Sequence, residues 1–347
     1  MKKDVRSLTH DELISFFESN NHSSYRATQV YEWLWKKSCF SFDEMTNLSK
    51  NTRELLKDKF VINNIKIDKI QKSSDGTIKN AIKLFDDSLV ESVLIPFENR
   101  TTACVSSQVG CSLDCEFCAT SKLKRIRNLN ADEIFDQVSI INTQSKTYFG
   151  RPISNIVFMG MGEPLLNYTN LISGIKKISS NDGLGISPTR ITVSTSGIPK
   201  MIIKLADEPI KLNLALSLHS AIEDTRTKIM PFSTRFSLSE ILDSLKYWYK
   251  KTQRIVTYEY IIWKGINDDF KHIKSLIKFC KASPSKVNII NYNEVGNKFF
   301  IPADPNSIDN YVQELKINNI PVTIRKSRGN DIDCLLYTSD AADDFTS

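Results

Sequence analysis

From about residue 102 to 292 the chain alternates short apolar runs with segments whose apolar residues recur at helical spacing. The runs fall at 102–107, 154–159, 190–195, 211–217, 256–262 and 286–291. The helical segments include 131–144, 168–179, 238–250 and 270–281, the third opened by a Ser237-x-x-Glu240 capping box. Apolar strands joined by helices indicate a parallel sheet covered on both faces. The fold class expected is therefore α/β. Six repeats suit a partial parallel (β/α)6 barrel better than a closed eight-stranded one.

Upstream the pattern changes twice. Residues 1–62 read as a small helical domain. Thr9-x-x-Glu12 forms a capping box ahead of Leu13, Phe16 and Phe17. Val30, Trp33 and Leu34 share one face of a helix over 25–37, and 43–60 continues the pattern. Residues 63–101 read as a short β extension. Segments 66–71 and 79–85 flank Ser73-Ser74-Asp75-Gly76-Thr77, a hairpin-turn signal, and 89–96 adds a strand that carries Glu91. The barrel is expected over 102–333.

Composition narrows the class without choosing the chemistry. At 347 residues the chain can build one large core with an appendage. No run approaches a membrane span, and the polar start Met-Lys-Lys-Asp-Val-Arg does not resemble a signal peptide. Seven cysteines, three of them bunched, suit a reducing cytoplasm. The formal net charge of +6 permits a nucleic-acid partner without requiring one. Lysines 36, 37, 50, 57 and 59 give the helical domain a basic character that fits RNA and equally fits a solvated face.

Cys111, Cys115 and Cys118 form a Cys-x3-Cys-x2-Cys triplet in the loop after the first barrel strand. Structural zinc and ordinary ferredoxin-type clusters take four protein ligands. Three thiolates on a four-iron cluster leave one iron open, which is what binding and reductive cleavage of S-adenosylmethionine (SAM) require. The alternative is a zinc site completed by a distant ligand. Only four histidines exist, none near the triplet in sequence, and Cys104 is the only nearby thiol. The other chemistry-bearing motifs also follow strands, on the rim where barrel enzymes place their sites. Gly160-Met161-Gly162-Glu163-Pro164 follows the second, Ser194-Thr195-Ser196-Gly197 the third, Ser217-Leu218-His219 the fourth and Asn293 the sixth. Each alone is more often structural: a turn, a helix cap or a satisfied core histidine. Together they can hold the ammonium, carboxylate and ribose of SAM.

With these motifs in place, the sequence resembles the RlmN-type radical-SAM RNA methyltransferases from about Leu8 to Asp333. The likeness also rests on Tyr25-Arg26-Ala27-Thr28-Gln29, on Cys104 seven residues before the triplet, and on Arg328-Gly329-Asn330-Asp331-Ile332-Asp333. It implies methylation of C2 of adenosine in 23S rRNA and tRNA. One SAM methylates a protein cysteine, and a second is cleaved to a radical that activates the methyl group. A second cysteine then resolves the protein–RNA link by forming a disulfide. By position, Cys111, Cys115 and Cys118 hold a four-iron four-sulfur cluster, and Cys104 resolves. Glu91 accepts the proton, and Gly162, Glu163, Ser194, Ser217, Leu218, His219 and Asn293 contact SAM. The resemblance makes residues 1–62 an RNA-docking domain. It also implies an electron donor such as flavodoxin or ferredoxin, a monomeric cytoplasmic enzyme and no membrane partner. Methylation at C8, as in the related Cfr proteins, is the alternative within the class. An RNA-binding module with structural zinc is the alternative outside it.

The chain departs from this pattern at its end. The methyl-carrying cysteine is expected three residues beyond Asp333, where Leu336 stands. Cys334 comes two residues early, and the stretch from Cys334 to Asp344 resembles a translated sequencing adapter. The expectation is that 334–347 is a non-native tail. Two residues displace a thiol by up to ~7 Å, and a misplacement of ~1 Å can cost ~100-fold in rate. Cys334 is not expected to substitute.

Overall fold

The computed structural model describes residues 2–292, 299–325, 328–329 and 331–332. Its first strand pair, β1 (Lys3–Asp4) and β2 (Phe60–Val61), closes the N-terminal domain on itself. Between them run α1 (His10–Ser19), α2 (Tyr25–Tyr31) and α3 (Lys50–Lys59). The Thr9–Glu12 capping box forms as its spacing predicts. The helix expected over 25–37 instead ends in a π-type turn at Glu32–Lys36, which leaves Leu34 and Trp35 buried and Trp33 at the surface edge.

Ten strands form one sheet. The antiparallel strands β3 (Lys66–Lys72), β4 (Ile78–Lys83) and β5 (Leu89–Phe97) lead to β6 (Arg100–Cys104), which pairs antiparallel with β5. A small hairpin, β7 (Gln108–Val109) with β8 (Arg127–Asn128), encloses the cysteine loop. Then β9 (Asn155–Phe158), β10 (Ile191–Thr195), β11 (Asn213–Ser217), β12 (Val256–Ile261), β13 (Ser285–Ile290) and β14 (Val322–Arg325) join β6 in an all-parallel array. The helices α4 (Ala131–Phe149), α5 (Tyr168–Ser179), α6 (Pro199–Ala206), α7 (Glu223–Ile229), α8 (Leu238–Thr252), α9 (Phe270–Ala282) and α10 (Pro305–Ile317) connect or cover these strands.

All six expected barrel strands are present, with two additions. The β extension is not a separate body, because β3 to β5 extend the barrel sheet through β6. A seventh parallel strand, β14, follows α10; its Val-Thr-Ile-Arg run alternates over four residues only, three of them exposed, too short a pattern to stand out in the sequence. No helix among the described residues is long and apolar enough to cross a membrane.

Two contacts fix the parts around the rim. Arg6 joins the helical domain to α4, binding Asp136 at 2.6 Å, Asp132 at 3.0 Å, Asp4 at 3.4 Å and the Asn63 carbonyl at 2.6 Å. Near the other end, Asp331 accepts from Ser73 Oγ and from the Ser74 N–H, while the Gly329 N–H donates to Asp75 at 3.0 Å. The chain after β14 is thereby held against the β3–β4 turn, which the sequence marked only as a hairpin.

Candidate active site

The parallel strands run in register, so their C-terminal ends share one rim. A cavity of about 330 Å³ opens there. Cys104, Gly162, Glu163, Ser194, Ser217 and His219, all singled out by sequence, line it. Glu91 and Leu218 do not line it, and Asn293 lies outside the described residues.

The cysteine loop is shaped by its own backbone. The Cys118 N–H donates to the Cys115 carbonyl at 3.0 Å, and Ser121 Oγ donates to the carbonyls of both. The Glu116 N–H donates to the Ile229 carbonyl at 3.1 Å, which ties the loop to α7. Burial pushes the Cys111 thiol up to about 11 and the Cys115 thiol well above its ordinary value. These thiols release protons readily only to a metal that binds them. All six described cysteines are free. Among the described residues no three His, Cys, Asp or Glu side chains converge on a single metal ion. A four-iron cluster asks for less convergence, since its cysteines are shared among several irons. Phe117, between the second and third cysteines, reaches the cavity and packs edge-on to His219 at 4.8 Å.

The Gly-Met-Gly-Glu loop is held from behind. Gly162 has φ +90°, and a Cβ there would lie 2.5 Å from Gln108 Cβ, so glycine is required for both conformation and space. Gln108 Oε1 accepts the Glu163 N–H at 2.9 Å. Glu163 is fully buried; its carboxyl accepts the Ser196 N–H at 2.8 Å and the Leu165 N–H at 3.1 Å, while burial pushes its pKa up. It therefore clamps the loop after β9 to the loop after β10.

His219 also has left-handed backbone, φ +51°. Its Nδ1 accepts the Ile261 N–H at 3.2 Å, and Asn267 Nδ2 donates to its carbonyl at 2.8 Å. Burial, followed by the Arg226 charge, lowers its pKa to about 3, so the imidazole is neutral with Nε2 carrying the proton. Leu218 contributes backbone: its N–H donates to the Glu259 carbonyl at 3.1 Å.

Cys104 ends β6, and burial pushes its thiol up to about 11. Glu91 is buried on the neighbouring β5; its N–H meets Met161 Sδ at 3.3 Å and its carbonyl accepts Ser106 Oγ at 2.6 Å.

Sequence reading missed three charged residues here: Glu259 and Arg325, which both line the cavity, and Arg226 behind it. Glu259 lines the cavity, 4% exposed, with Oε1 accepting from Asn288 at 3.1 Å and Oε2 lacking a partner among the described residues. A lone carboxylate inside the apolar run 256–262 was its available signal. Arg226 lies behind the rim on α7, and nothing in its charged helical surroundings marks it. The orphaned Glu259 oxygen, the glycine-lined wall and three free thiols on one adjoining loop fit a cluster and a small polar cofactor.

A parallel partial barrel with a three-cysteine loop at its rim defines the radical SAM class. Residues 105–279 match the radical SAM superfamily, and residues 3–62 match the ribosomal RNA large subunit methyltransferase N-terminal domain. A relative from Christiangramia forsetii, named "Probable dual-specificity RNA methyltransferase RlmN", is 59% identical over 332 residues, 96% of this chain and 94% of its own. The dual-specificity RNA methyltransferase RlmN of Geotalea uraniireducens is 39% identical over 95% of this chain and 94% of its own. Among solved structures, a radical SAM methyltransferase from Sphaerobacter thermophilus superposes with TM-score 0.89 at 34% identity, covering 95% of this chain and 97% of its own. The chain belongs to the RlmN family of radical SAM RNA methyltransferases, enzymes that use a four-iron four-sulfur cluster and SAM.

Proposed function

We propose that this fold methylates C2 of adenosine in 23S rRNA and tRNA through a methylated cysteine. We further propose that the chain as it stands binds and cleaves SAM without completing the transfer. The observation that carries the reading is the shared cavity: Cys104 lines the same space as Gly162, Glu163, Ser194, Ser217 and His219.

Cys111, Cys115 and Cys118 would hold the cluster, which when bound supplies the electron that cleaves SAM. Ser194, Ser217 and the neutral His219 offer hydroxyls and one N–H to the ribose and carboxylate. Phe117, Ile261 and Ile290 give the cavity apolar walls that exclude water from the reacting carbon. Cys104 is a thiol at neutral pH and must lose its proton before it can resolve a protein–RNA link. Glu91, on the strand beside it, is the candidate acceptor for the proton leaving adenine. Asn293 remains a proposed SAM contact on sequence grounds.

Residues 1–62 are proposed to dock the RNA. Lys37 stacks on Trp33 at 3.7 Å and Arg26 on the exposed Tyr25 at 4.6 Å, the mixture of cation and ring that suits single-stranded bases. A flavodoxin or ferredoxin would deliver the electron to a monomeric enzyme.

The test is repair of the tail. Replacing 334–347 with a family-type ending, Ala-Ala-Cys-Gly and onward, puts cysteine at position 336. The repaired protein should restore 2-methyladenosine to 23S rRNA of a methyltransferase-null strain, while the unrepaired chain should not. Methylation at C8 would move the protein to the Cfr-like reading. Robust C2 methylation by the unrepaired chain would point to Cys334 as a relocated carrier.

A further inference from the structure

Arg226 is fully buried, 0% exposed, and joins no ion pair among the described residues. Its Nε donates to the Leu218 carbonyl at 3.3 Å, and its Nη2 to the carbonyls of Ser196 at 2.5 Å and Ser217 at 3.4 Å. Those carbonyls leave β10 and β11, so one guanidinium pins two walls of the rim. Its Nη1 has no partner among the described residues. One helical turn onward, Ile229 and Met230 pack against Leu113 and Cys115, and the Ile229 carbonyl takes the Glu116 N–H. The helix that carries this cation thus braces the cysteine loop.

Burial lowers the Arg226 pKa to about 10, and the groups whose ionised forms would oppose this are Cys115, a neutral thiol until a metal binds it, and Glu223 on the same helix. A buried ion without a counter-ion costs several kcal/mol even after relaxation. A structure that keeps one needs its opposite charge to arrive with a ligand. Three thiolates and the sulfides of a four-iron cluster bring that charge, and hydrogen bonds and net charge around the sulfurs set a cluster's potential.

We propose that Arg226 is the counter-charge of the cluster: its free Nη1–H donates to the sulfur face beside Cys115 and raises the reduction potential. This rests on the reading of Cys111, Cys115 and Cys118 as the cluster ligands. Arg226 is a positioning and tuning residue, since it would touch the cluster's sulfur shell and not the reacting carbon.

Two measurements on anaerobically reconstituted full-length protein test it. In wild-type protein labelled with heavy-isotope arginine, pulsed EPR of the reduced cluster should show coupling to an arginine nitrogen. Redox titration should give Arg226→Gln a lower midpoint potential than wild type at equal iron and sulfide content, with Arg226→Lys recovering most of the difference. A fully loaded wild-type cluster without arginine coupling would overturn the proposal alone, and needs no variant to fold. Uptake of stoichiometric zinc and no cluster would overturn the ligand reading and this proposal together.

Discussion

Two buried arginines show how differently the domain seam and the barrel rim treat charge. At the seam, Arg6 is surrounded by Asp4, Asp132 and Asp136 and also bonds the Asn63 carbonyl. At the rim, Arg226 is buried more deeply still, yet among the described residues it bonds only backbone carbonyls and one of its nitrogens has no partner. Glu259, also at the rim, has a carboxylate oxygen without a partner among the described residues. The seam has more anions than its cation needs and is complete without any ligand. The rim is incomplete, and what it lacks is what a cluster and a charged cofactor bring. Breaking the seam should therefore cost stability, and breaking the rim should cost function.

The largest effect should come from the rim. Cys118→Ala should abolish cluster retention and the release of 5′-deoxyadenosine under dithionite, with the fold intact by circular dichroism. Deoxyadenosine above background from this variant would count against the three-cysteine site. Next comes Arg6→Met at the seam. It strands buried carboxylates, so unfolding by denaturant should be easier by about 3–5 kcal/mol. A loss well under that range would mean the carboxyls simply take up protons.

The third prediction uses that surplus of anions. Burial, with help from Asp4 and Asp136, raises Asp132 to about 7 despite the attraction of Arg6. In the unfolded chain it titrates near the ordinary aspartate value, so between about pH 4 and 7 the folded protein holds a proton that the unfolded chain has released. Stability should fall as pH rises through this window, and Asp132→Asn should flatten the slope. An unchanged slope in that variant would remove Asp132 as its source.

Gly162→Ala should be smaller. The left-handed backbone and the contact with Gln108 together should cost about 1–3 kcal/mol of stability, and SAM binding by equilibrium dialysis should weaken as the loop shifts. The smallest change is expected from Glu259→Gln. Burial already disfavours the charge that this change removes, and the amide keeps an oxygen for Asn288, so stability of the cluster-free protein should stay within about 1 kcal/mol of wild type, while SAM affinity falls. A large stability loss would show that Glu259 belongs with the paired charges of the seam.

Much of this was legible in the linear chain. Six barrel strands, the Thr9 and Ser237 caps and the Ser73–Thr77 turn are local patterns, and local patterns survive translation into structure because they depend on neighbours a few residues away. The rim site was legible because strand ends gather: Cys104, Gly162, Glu163, Ser194, Ser217 and His219 are separated by up to 115 positions and still line one cavity. The edge strand Val322–Arg325 was not picked out, since its alternation runs for only four residues and an exposed edge adds no longer apolar run. Arg226 was not legible either. In the sequence Glu-Asp-Thr-Arg-Thr-Lys it looks like part of a solvated helix face. Only the packing of α7 between the cysteine loop and the strand exits makes it a buried, unpaired cation.

The sequence by itself determined the element types, the order of the repeats and the ligand spacing of the cysteine triplet, because each depends on short-range periodicity. It also placed leucine at position 336, where the resemblance expects the carrier cysteine. Tertiary structure decided which charges lose their water and which find partners. Burial and pairing depend on residues far apart in the chain, such as Arg6 with Asp136 or Arg226 with the Ser196 carbonyl, and no local pattern records them.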